Sequence, residues 1–72
     1  MQGMDVRERV SKNIQYLRRA KGLSQETLSD AARIHPTYLS GVESGKRNPS
    51  LDVLGRIANA LEVDISELFK PR

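Results

Sequence analysis

Cysteine is absent from this 72-residue chain. Neither a disulfide nor a thiolate metal site can therefore hold the fold together, and the composition suits a reducing compartment. Histidine is almost absent, with a single copy at His35. That leaves no His/Asp/Glu set at metal or catalytic spacing, and the serines have no base partner. His35 falls at a helix start, where capping or simple exposure is the expected role. No enzymatic activity, metal, cofactor or small-molecule ligand is expected. Long apolar runs are missing too: nothing approaches the ~20 residues that span a bilayer, and no charged-then-apolar leader opens the chain. A soluble, cytoplasmic protein is expected, with no membrane partner.

What is present amounts to one small domain, large enough for a compact helical core. It is expected over residues 6–70, behind a flexible N-terminus at 1–5 in which Met1–Gly3 is compatible with a cloning remnant ahead of a natural start at Met4. The net charge is +3, unevenly spread. From Lys12 to Arg47 seven basic residues face three acidic ones, whereas from Asn48 onward three basic face four acidic. A polyanionic partner is the functional reading of that asymmetry, and an ordinary solvated surface is the competing one.

The apolar pattern is helical nearly throughout, without repeats, low-complexity tracts or strand-period segments. Val6, Val10, Ile14 and Leu17 mark one face of a first helix that Gly22 stops in the left-handed conformation. Ser24 caps a second helix, with Leu23 and Leu28 as its hydrophobic staple and Leu28, Ala31 and Ala32 as its buried face. A third helix starts at once: His35 caps it, Pro36 takes its first position, Ile34 and Leu39 staple it, and Gly45 ends it. Ser50 caps a fourth, whose stripe is Leu51, Leu54, Ile57 and Leu61. Gly55 inside it costs roughly 1 kcal/mol relative to Ala, which suggests a close approach there. Asp64 and Glu67 form a capping-box-like pair opening a short fifth helix, Ile65 to Phe69, ahead of Pro71. The fold class is all-α, five short helices around one core.

The third helix carries the functional signal. At about 100° per residue, Leu39 and Val42 point together toward the core. Thr37, Ser40, Gly41 and Ser44 point the opposite way, with Tyr38 and Glu43 on the flanks. A helix lying in the DNA major groove needs such an outward face, small enough for close approach and supplied with hydroxyls for base edges. Cations belong on the rim where phosphates run, and Lys46 and Arg47 follow one turn beyond the helix. The second helix, a short turn and the third make a helix-turn-helix, and the second helix's start at Ser24 and Gln25 can aim free N–H groups at a phosphate.

"LSQETL", "YLSGVESGKRNPSL" and "ALEVDISELF", in that order and spacing, resemble the DNA-binding domain of the lambda-repressor-like (Xre-type) helix-turn-helix family over about residues 8 to 69. Within it, "HPTYLSGVESGKRNPS" is most similar to restriction–modification controller proteins and small phage-type and biofilm-type repressors. The resemblance implies a sequence-specific regulator of transcription on double-stranded DNA, with the recognition helix at about Pro36 to Ser44. It implies that Gln25 anchors a phosphate and braces the third helix, and that Thr37, Tyr38 and Ser40 meet bases or nearby backbone. Lys46, Arg47 and Asn48 would grip phosphates, with Arg47 able to reach a groove. Arg18 and Glu43 match a partly buried ion pair, which makes Glu43 structural. Arg33 departs from the family's Gly or Asn in a left-handed turn, at roughly 1 kcal/mol or more. Pro36 departs from a base-reading Gln or Arg, so specificity must rest on Thr37, Ser40, Arg47 and DNA shape.

One short recognition helix reads few base pairs, so two copies are expected to pair on a palindrome with half-sites about 34 Å apart. Val63, Ile65, Ser66 and Phe69 are the expected homodimer interface, being far in sequence from the DNA face. The alternative is a protein-interaction module on the same fold, such as an antitoxin or a bridging cofactor. The cations beside a small-residue face are what DNA needs and a protein partner does not.

Overall fold

The computed structural model describes residues 5–72 and arranges them as α1 (Val6–Ala20), α2 (Gln25–Ala32), α3 (Pro36–Glu43), α4 (Leu51–Leu61) and a closing 3-10 helix (Ile65–Phe69). No strand occurs among the described residues. Each α-helix begins on a side chain that accepts a first-turn N–H: Asp5 from Arg7, Ser24 from Thr27, His35 Nδ1 from Thr37, and Ser50 from Val53. Such caps satisfy donors that helix geometry leaves orphaned, at about 1 kcal/mol each. The role of His35 requires Nδ1 to be the bare acceptor nitrogen.

Each α-helix also ends the same way, on a residue with left-handed φ: Gly22 (71°), Arg33 (61°), Gly45 (79°) and Glu62 (61°). The next residue donates its N–H back across the last turn, Leu23 to Arg18, Ile34 to Ser29, Lys46 to Gly41 and Val63 to Ala58. Leu23, Ile34 and Val63 then pack against the core, as this motif favours. Lys46 in the same place is exposed. Three of the four ends anchor the core, and the end of α3 presents a cation instead.

α2 packs on α3 and α4, while α1 packs on α3 and the 3-10 helix. Between them lie Val10, Ile14, Leu28, Leu39, Val42, Leu54, Ile57, Leu61 and Leu68. A fully buried Leu or Ile of this set contributes roughly 1.5–3 kcal/mol.

Several expectations need correction. The fifth helix is a single stretch of 3-10 geometry, so the described residues form four α-helices and not five. Val6 and Leu51 are 62% and 74% exposed, because each opens its helix a turn ahead of the packed region. Ala31 is exposed, and α2 buries Leu28, Ser29 and Ala32. A β-carbon at Gly55 would meet nothing within 4 Å, so no close approach accounts for that glycine. Glu67 does not complete a capping box: its carboxylate pairs with Lys70 and Arg72. Those contacts, the Lys70 hydrogen bond foremost, hold its pKa below the ordinary Glu value. The Ser66 backbone N–H does the same for Asp64. Of the flexible N-terminus expected at 1–5, residues 1–4 with the cloning remnant lie outside the described residues, and Asp5 belongs to the domain as the cap of α1.

Candidate nucleic-acid interface

Glu43, the last residue of α3, is where three helices meet. Its carboxylate accepts from Arg18 Nε at 2.7 Å and Nη2 at 3.0 Å, and from Gln25 Nε2 at 2.9 Å. Its backbone carbonyl accepts from Gln15 Nε2. Arg18 spends Nη1 on the Leu23 carbonyl, at 2.8 Å. Arg18 and Glu43 are both buried, at 9% and 3% exposure, so Glu43 lies inside the fold and not on a flank. A buried carboxylate is tolerated because a guanidinium fork and an amide saturate it. The network fixes α1 and the start of α2 against the end of α3. Gln25 thus braces α3 through its side chain, and the first turn of α2 carries unpaired N–H groups beside it.

The outward face of α3 carries Pro36, Thr37 and Ser40, all exposed, and a half-buried Gly41. Ser44 is exposed one residue past the helix end and donates its hydroxyl to the Gly41 carbonyl. Tyr38 is half-buried against the core, with the Arg47 guanidinium over its ring at 5.4 Å from the centroid. Lys46, Arg47 and Asn48 follow in the exposed loop. Asn48 lies toward α1, and both it and part of Arg47 border a small apolar cleft with Val6, Pro49 and Phe69.

Two residues that sequence reasoning missed join this face. Gln15 and Arg19 line a polar cleft with Gln25, Ser40, Glu43 and Ser44. Their spacing of four residues on α1 was the available signal, but nothing in the sequence says which face of α1 borders α3. The charge pattern sharpens the picture. Arg7, Lys12, Lys21, Lys70 and Arg72 are each held by a carboxylate. Among the described residues Arg19, Lys46 and Arg47 have none within 4 Å. Arg33 and Arg56, also without one, line a separate cleft with Asn59, and Arg9, likewise without one, donates to the Phe69 carbonyl. Of the residues expected at a dimer interface, Ile65 and Phe69 are 37% and 36% exposed, Ser66 is exposed and Val63 half-buried.

Comparison with known proteins places these features among relatives. Residues 14–68 match the family described as Helix-turn-helix. The chain is 43% identical over 68 residues to the uncharacterised HTH-type transcriptional regulator y4dJ of Sinorhizobium fredii, covering 94% of this chain and 88% of that one. It is 35% identical over 66 residues to the control protein C.SmaI of Serratia marcescens, covering 92% and 79%. Among solved structures, the restriction-modification controller protein C.AhdI from Aeromonas hydrophila superposes with a TM-score of 0.86 at 41% identity, over 88% of this chain and 96% of that one.

Proposed function

This chain belongs to the helix-turn-helix family, and on that premise we propose that it is a sequence-specific, double-stranded DNA-binding transcriptional regulator working in the cytoplasm. The α3 face enters the major groove, with Thr37 and Ser40 toward base edges and Pro36 at the helix entry. Lys46 and Asn48 hold phosphate on one side, while Arg19 and the first-turn N–H groups of α2 hold it on the other. The observation that carries this reading is the pairing of cations. Among the described residues Arg19, Lys46 and Arg47, which flank the small-residue face, have no carboxylate within 4 Å, whereas Arg7, Lys12, Lys21, Lys70 and Arg72 are tied to carboxylates.

Two copies bind together, using the exposed Ile65 and Phe69 with Val63 and Ser66. The operator is accordingly palindromic, with half-site centres about 10 base pairs apart. Selection from a random duplex library tests both statements. The expected outcome is enrichment of one inverted repeat, bound with a strong inverse dependence on salt. No enriched sequence would contradict the reading and favour a protein partner; an enriched single half-site would contradict the dimer.

A further inference from the structure

Gly41 belongs to the outward stripe of α3, and from sequence its smallness looks like room for DNA. The space is already taken. A β-carbon at Gly41 would collide with Cγ of Arg47 and would lie 3.4 Å from its Nε and 3.5 Å from its Cβ. The Arg47 side chain therefore runs back across the exposed face of α3. Its backbone is pinned where it can do so, because the N–H groups of Lys46 and Arg47 both bond to the Gly41 carbonyl, at 2.9 and 3.1 Å. Its guanidinium ends 5.4 Å from the centroid of the Tyr38 ring. Tyr38 and Gly41 are three residues apart and so share one helix face. A glycine opens the lane and a π-face receives the cation.

We propose that Gly41 and Tyr38 form a seat that delivers the Arg47 guanidinium onto the reading face of α3, where it recognises a guanine edge and does not serve as a rim clamp on phosphate. This rests on the DNA-binding reading above. The sequence of α3 contains no long side chain with a donor fork, and Pro36 stands at its entry. Arg47 supplies that fork from the following loop, and bidentate pairing with guanine O6 and N7 suits its planar geometry. Holding the side chain over the helix before DNA arrives reduces the ordering cost of binding. Gly41 and Tyr38 are positioning residues, acting through Arg47.

A double-mutant cycle tests this on the selected operator and on a scrambled duplex, using the wild type, Gly41→Ala, Arg47→Ala and the double variant, with thermal melts of each free protein. Gly41→Ala is expected to melt higher than wild type, because Ala suits a helix interior better than Gly. It should nonetheless bind operator about tenfold more weakly, the scale of one lost base contact, with scrambled duplex within about twofold. Gly55→Ala is the control, with the same rise in melting and no loss of binding. Arg47→Ala should lose operator affinity similarly, and adding Gly41→Ala to it should cost nothing further. The proposal is overturned if Gly41→Ala leaves operator binding intact, or costs as much without Arg47 as with it. It is also overturned if Arg47→Ala weakens both duplexes equally and lowers the salt slope. A wild type that does not distinguish the two duplexes would overturn the DNA reading together with it.

Discussion

Glu43 concentrates the residue-scale physics of this domain. Its charge is buried and is compensated by Arg18 and Gln25, so its value lies in fixing geometry more than in net stabilisation. Glu43→Ala leaves Arg18 as a buried cation without its partner, and a loss on the order of 3 kcal/mol is expected. Thermal melts check this, and an unchanged midpoint would reduce the pair to decoration. The helical wheel made Thr37, Ser40 and the core direction of α3 legible from sequence alone. It could not reveal the path of Arg47, which depends on a side-chain rotamer across another element. Nor could it reveal Asn13, which occupies a polar position in the pattern and is nevertheless buried. Its amide donates to the Leu68 and Lys70 carbonyls and its oxygen accepts from Arg72. A buried amide is compatible with the core only because distant parts of the chain satisfy it.

Helix starts were more legible than helix ends. Ser24, His35 and Ser50 are legible in the sequence because a Ser or His ahead of an apolar period is a local signal, whereas Asp5, which caps α1, falls in the stretch read as a flexible N-terminus. Of the left-handed ends, Gly22 and Gly45 follow from glycine's freedom, and Arg33 is legible only through the family resemblance. Glu62 gave no warning, since local residue type opposes a conformation that the packing of Val63 enforces. Both non-glycine positions carry strain, and Arg33→Gly and Glu62→Gly are each expected to stabilise the domain by roughly 1 kcal/mol. Denaturant midpoints of the two variants check this. A fall in either would mean that its side chain contributes more than the strain costs, and the exposed 3.6 Å contact of Glu62 with Lys21 is too weak to do so. The closing element lies where the sequence pattern puts it, Ile65–Phe69, but in 3-10 geometry. Five residues between Asp64 and Lys70 are too few to sustain α-helical hydrogen bonding against its nucleation cost.

At the scale of the whole molecule, the proposed function separates gripping from reading. The cations Arg19 and Lys46 are carried on α1 and on the loop after α3, and the outward face of α3 has only small residues of its own. Lysines on that helix would attract any duplex; hydroxyls there can discriminate. The core fixes the relation between the two sets through Glu43, so neither moves independently. Binding titrations of Lys46→Ala, Thr37→Ala and Ser40→Ala on the selected operator and a scrambled duplex, at several salt concentrations, test this division most directly. Lys46→Ala should weaken both duplexes by similar factors and lower the salt slope by about one unit, through one lost phosphate contact and its counterion. Thr37→Ala and Ser40→Ala should each cost operator binding on the order of 1 kcal/mol while sparing scrambled duplex and the salt slope. If those two variants lower both affinities equally, or neither, α3 is not the reader.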